Sequence, residues 1–192
     1  MFVTCSEAEN LLEEAYTYNP GKWREHSKNV AFAARVISER IEELDSEKAY
    51  SFGLLHDIGR IKGITQMKHV IDGYNYLFDM GFDENAKICI THSFPLKLVA
   101  SYSGVNDCSP EEAKFISDFL QTHEYDEYDK LIQLCDALAL PDTICILEKR
   151  LFDVAIRNGI NEYSIDKWKA FLDLKSYFDN KIGLDIYKVL GI

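Results

Sequence analysis

Apolar residues along this chain recur at intervals of three and four, and no segment alternates cleanly at period two. Side chains share a helix face every 3.6 residues and a strand face every 2.0, so the pattern predicts an all-α fold. The clearest stripe lies on a helix expected over residues 23–43, where His26, Val30, Ala33, Ile37 and Ile41 fall on one side. Capping signals set the other boundaries. Ser6 with Glu9 reads as a capping box before a short first helix. Asp45 is placed to cap a helix running through Phe52 and Leu55 to His56-Asp57. Gly59 and Gly63 are expected to end it, since glycine tolerates the left-handed backbone of a C-cap. Further helices are expected over 66–80, closed by Gly81, and over 83–92, with Pro95 interrupting. Ser109-Pro110-Glu111-Glu112 combines an N-cap, a first-turn proline and a capping-box glutamate, so a helix follows to about His123. An apolar helix over 131–140, one opened by Pro141 and ending near Gly159, and one capped by Ser164 before a short tail complete the expectation.

With 192 residues, 47% of them hydrophobic, one sizeable core can be buried. A single helical-bundle domain is expected, with its core over 22–150 and a helical extension over 160–192. No apolar run approaches the roughly 18 residues of a membrane span. The opening MFVTCSEAEN lacks the basic and apolar regions of a signal peptide, so a cytoplasmic protein is expected. Five cysteines form no CxxC pair and leave an odd one over, which fits apolar fillers rather than a disulfide framework or zinc ribbon. The net charge of −11 is spread along the chain without a Lys/Arg cluster, which disfavours duplex nucleic acid as a partner. A small phosphorylated substrate stays compatible, because a bound cation reverses the local field.

Only five histidines are present, so their placement is the signal. Adjacent His56 and Asp57 would point about 100° apart on a helix. Both reach one ion only if the helix ends there and other helices bring ligands to the same point. The alternative is an aspartate that caps or orients its neighbour. His26 lies on the apolar stripe of its helix, as a satisfied core histidine also would. Asp136 sits inside the apolar run 131–140, where a carboxylate is costly unless it is paired with a cation or a metal.

In order, His26, His56-Asp57 and Asp136 resemble the H…HD…D pattern of the HD-domain superfamily of metal-dependent phosphohydrolases. Gly53-Leu54-Leu55-His56-Asp57-Ile58-Gly59-Arg60 is similar to that family's "LLHDIGK" signature, and Ile132-Gln133-Leu134-Cys135-Asp136-Ala137-Leu138 to its last segment. The resemblance covers about residues 22–150 and implies His26, His56, Asp57 and Asp136 as metal ligands. His69 and His92 stand where members with two metals place ligands for the second ion, as in diadenosine-tetraphosphate hydrolases. The paired histidines and GYP motif of the HD-GYP subgroup are absent.

The activity so implied is hydrolysis of a small phosphorylated substrate, such as a nucleotide or dinucleotide. It would use one or two divalent transition ions (iron, manganese, zinc, nickel or cobalt) and a water activated beside Asp57. Arg60 matches the family lysine that contacts substrate phosphate. His92 or His123 would protonate the leaving oxygen, although a histidine at a helix C-terminus, like His123, is favourable without any function. The same ligand order also resembles the superfamily's di-iron oxygenases. A non-catalytic ligand-binding module on the same fold is the remaining alternative.

Overall fold

The computed structural model describes residues 1–192. Ten α-helices and two short 3-10 segments carry the chain, and the only strand-like pairing is an isolated bridge between Ala139 and Ile144. The all-α expectation therefore holds. The helices are α1 (Cys5–Tyr18), α2 (Trp23–Ser38), α3 (Ser46–Leu55), α4 (Lys68–Asp79), α5 (Asp83–Thr91), α6 (Pro110–Thr122), α7 (Glu127–Asp136), α8 (Leu147–Asn158), α9 (Ser164–Ile182) and α10 (Ile186–Leu190). None is long and apolar enough to cross a membrane.

Most caps follow from local chemistry, and the exceptions have identifiable causes. Asp45 accepts from the Glu47 and Lys48 amides, and Ser109 with Glu112 closes the expected capping box. The first helix starts earlier than Ser6 and Glu9 imply. Thr4 and Glu7 form its capping box, and Val3 is anchored by its amide donating to Asn85 Oδ1 at 2.8 Å. α2 ends at Ser38, short of residue 43, where the Ser38 hydroxyl turns back to the Ala34 carbonyl at 2.7 Å. α7 begins four residues before Leu131 because Asp126 caps it through the Tyr128 and Asp129 amides, and it stops at Asp136. Pro141 opens no helix; the chain there forms the bridge turn, and α8 starts only at Leu147. Ser164 is the first helical residue rather than a cap, and the tail folds into α10, capped by Asp185.

α3 is the axis of the bundle, with Ala49, Ser51, Phe52, Gly53, Leu54 and Leu55 all buried. One core cluster joins α2, α3 and α7 to Phe171 and Phe178 of α9 and Ile186 of α10. A second packs α1 against α2 and α3, and a third joins α4, α5 and α6. Two glycines set how closely the helices meet. A Cβ on Gly53 would stand 2.5 Å from the Ala31 Cα, so only glycine lets α2 cross α3 at that point. Gly59 has no left-handed backbone and lies inside the 3-10 segment Ile58–Lys62. A Cβ there would stand 2.0 Å from the His69 carbonyl oxygen and 2.4 Å from the Gly73 nitrogen. Gly59 is thus a close-packing residue against α4, not the C-cap expected of it. The left-handed glycine is Gly63, with φ 123°.

Candidate metal centre

Five helices deliver one polar residue each to the same place. His26 comes from the first turn of α2 and His69 from the first turn of α4; His56 and His92 are the C-caps of α3 and α5, and Asp136 is the last residue of α7. Asp57 follows His56, just where α3 gives way to the 3-10 segment. Three helix C-termini, with partial negative charge, meet the partly positive N-terminal turns of two others at this spot, so the dipoles largely offset and the side chains set the local field. The four histidines and Asp57 are all buried.

The histidine tautomers are set by backbone carbonyls. His56 Nδ1 faces the Gly53 carbonyl at 2.7 Å, His92 Nδ1 faces Ile88 at 3.1 Å, and His69 Nδ1 faces Gln66. A carbonyl only accepts, so each Nδ1 carries the proton, and a neutral ring then presents a bare Nε2 lone pair inward. Those lone pairs converge. His69 Nε2 lies 3.4 Å from His92 Nε2 and 2.9 Å from Asp57 Oδ1, and His92 Nε2 lies 3.7 Å from the same oxygen. His56 Nε2 is buried without any hydrogen-bond partner. Lone pairs turned toward a carboxylate oxygen and toward each other are an arrangement that a cation between them would satisfy.

Donor atoms of His26, His56 and Asp57 all lie within 4.8 Å of one another, and so do those of Asp57, His69 and His92. Asp57 belongs to both groups. Asp136 adjoins the first through His26, its Oδ1 lying 2.9 Å from His26 Nε2. The donor set of imidazoles and carboxylates suits first-row divalent transition ions.

The electrostatics hold the set in its ligand form. Burial pushes the His92 imidazole down to about 3, and burial also lowers His56, so neither carries a proton on Nε2 at neutral pH. Burial works to raise Asp57, but the Arg60 guanidinium foremost opposes it, and the carboxyl stays well below its usual range. Asp136 is held down in the same way against its burial, chiefly by His26.

Other residues singled out in the sequence take different places. Arg60 donates from Nε to Asp57 Oδ2 at 2.7 Å and from Nη1 to the Thr65 carbonyl at 3.4 Å. It therefore orients the shared carboxylate, with only part of its fork left for a substrate. His123 is not brought to the cluster. Its Nε2 faces Asp129 Oδ2 at 3.4 Å, and that buried carboxylate also accepts from Thr91 Oγ1 at 2.7 Å. Sequence reasoning missed three residues nearby: Arg150 Nη2 stands 4.0 Å from Asp136 Oδ1, the Tyr102 ring lies 6.4 Å from that of His69, and Lys167 lies against Tyr102. Lys167 alone left a readable sign, since it shares the α9 stripe of Phe171, Leu174 and Phe178, where a lysine is out of place. Two surface clefts of about 360 and 420 Å³ lie elsewhere, and neither includes a residue of this cluster.

A family model for the HD domain matches residues 23–140. No curated protein and no solved structure matches the chain.

Proposed function

The chain belongs to the HD-domain family, and from that premise we propose that it is a metal-dependent phosphohydrolase acting on a small phosphorylated substrate, with a nucleotide or dinucleotide as the first class to test. The family consists mostly of metal-dependent hydrolases. The reading is supported most by the convergence of the His56, His69 and His92 Nε2 atoms near the Asp57 carboxylate, with His56 Nε2 buried and left without any partner in the chain.

On this reading His26, His56, Asp57 and Asp136 hold one divalent ion, and Asp57, His69 and His92 hold a second. When bound, the ions supply an acidified water and a Lewis acid for the phosphoryl oxygens. The protein's own groups do the rest. The Gly53, Gln66 and Ile88 carbonyls fix the imidazoles through Nδ1 and turn Nε2 inward. Arg60 locks the Asp57 carboxylate, leaving Oδ1 toward His69 and His92, and the N–H groups it does not spend on Asp57 and Thr65 would be free to meet a phosphate. Burial of the four histidines and Asp57 limits competing water and strengthens each of these interactions.

Full-length protein reconstituted with each candidate metal should release phosphate from members of a panel of nucleotides, dinucleoside polyphosphates and sugar phosphates. Oxygen consumption with a mixed-valent iron signal in electron paramagnetic resonance, and no phosphate release from any substrate, would favour the oxygenase use of the same ligands.

A further inference from the structure

Beside the candidate metal centre, three polar side chains from outside the matched region's ligand set have unspent hydrogen-bonding capacity. Lys167 of α9 is buried, and its Nζ meets only neutral acceptors, the Ser101 carbonyl and Ser103 Oγ, each at 3.3 Å. A buried ammonium without a carboxylate partner is costly and needs a reason. Arg150 of α8 has a buried Nε with no partner. Its Nη2 stands 4.0 Å from Asp136 Oδ1, and its Nη1 3.4 Å from Asp153, a carboxylate shared with Arg157. Tyr102 lies between α5 and α6, its ring 5.9 Å from Lys167 Nζ and 6.4 Å from the His69 ring.

We infer that Lys167, Arg150 and Tyr102 form an anion subsite against the metal centre, one that takes a second phosphate of the substrate and so favours a diphosphate over a monophosphate. The inference rests on the phosphohydrolase reading and narrows its substrate class. Charge is compatible with it: Arg60 and Arg150 face Asp57, Asp136 and Asp153, Asp153 is shared with Arg157, and Lys167 is the cation with no carboxylate of its own. Burial pushes Lys167 down to about 8, with Asp136 pulling it back up, so the ammonium stays charged at neutral pH. Burial lifts the Tyr102 phenol above its usual range, so it keeps its proton and can donate to an anion. Position separates this subsite from the reacting group. Lys167 forms no hydrogen bond or ion pair with any of the six proposed ligands, and Arg150 approaches only Asp136. Tyr102 and Arg150 are each partly exposed, whereas Lys167 is buried.

Calorimetry with methylenediphosphonate, which cannot be hydrolysed at its P–C–P bridge, and with inorganic phosphate tests this on the full-length protein, with metal content measured in parallel. The parent should bind the diphosphonate about tenfold tighter than phosphate or better. Lys167→Met keeps the apolar stem and removes the charge; it should bring that preference to within about threefold while retaining the parent's metal content. Arg150→Gln, on a different helix, should do the same and decides the matter if the Lys167 variant does not fold. A parent without the preference, or a preference surviving in the folded variants, overturns the subsite. Hydrolysis without diphosphonate preference would reject the subsite and keep the hydrolase. Diphosphonate binding through Lys167 in a chain that holds no metal and releases no phosphate would do the reverse.

Discussion

At the scale of single residues, His56 shows how a side chain can be built for a partner the polypeptide does not supply. Its Nδ1 is committed to the Gly53 carbonyl and its Nε2 is buried with nothing to bond. An unsatisfied buried nitrogen costs about 1–3 kcal/mol, which a metal would convert into binding energy. Replacing His56 with Leu should therefore remove metal-induced thermal stabilisation while leaving the metal-free melting temperature close to the parent's. A variant whose melting temperature still rises with added metal as the parent's does would contradict this. The titration of the cluster makes a second prediction. Buried His92, held at about 3, and lowered His56 resist protonation when folded, whereas an unfolded imidazole titrates near 6.5. Below about pH 6.5 the unfolded chain takes up protons that the folded chain refuses, so stability falls with acid, by about 1.4 kcal/mol per pH unit per imidazole. The depressed carboxyls of Asp57 and Asp136 add stability that is present above about pH 4 and lost below it, so the two effects share a sign. Urea unfolding of the metal-free protein from pH 7 to 5 should show this slope, and a flat profile would count against the buried-neutral histidines.

At the scale of elements, the site depends on how closely helices approach. Gly59 lets the 3-10 segment after Asp57 press against the backbone of α4, which carries His69 to the Asp57 carboxylate. Gly59→Ala would force a methyl group into backbone atoms that cannot step aside. It should cost about 3 kcal/mol or more in urea unfolding and lower metal stoichiometry by displacing α4. Unchanged stability would refute that packing role. The glycine was visible in the sequence, but its role was not. A left-handed cap and a close contact call for the same residue, and only the fold distinguishes them. Helix identity was readable from the three-and-four spacing, and the Ser109–Glu112 and Asp45 caps from local chemistry. Boundaries failed where a competing local bond decided the end, as with the Ser38 hydroxyl on α2 and the Asp126 cap on α7.

At the scale of the molecule, the C-terminal helices are part of the structure that holds the site. Phe171, Phe178 and Ile186 are buried in the same core cluster as Val30, Phe52 and Leu134. Ending the chain at Gly159 would strip away those three side chains, worth roughly 2 kcal/mol each. The shortened chain should show no cooperative thermal transition by circular dichroism, and a native-like transition would mean that residues 1–159 fold without α9 and α10. The His and Asp donors were legible because their type and order carry chemistry in themselves. Arg150 was hidden in a charged run that reads as solvated surface, Lys167 showed only as a lysine on an apolar stripe, and His123 stood out in sequence yet pairs with Asp129. Asp57 belongs to both groups of donors, so metal and hydrolysis should stand or fall with it. Elemental analysis of the parent and of Asp57→Ala, each followed by phosphate release on the substrate panel, decides this. The parent should hold roughly one to two transition ions per chain, the variant should lose nearly all of them, and turnover should disappear with the metal; full turnover by a metal-free Asp57→Ala protein would refute the role of Asp57.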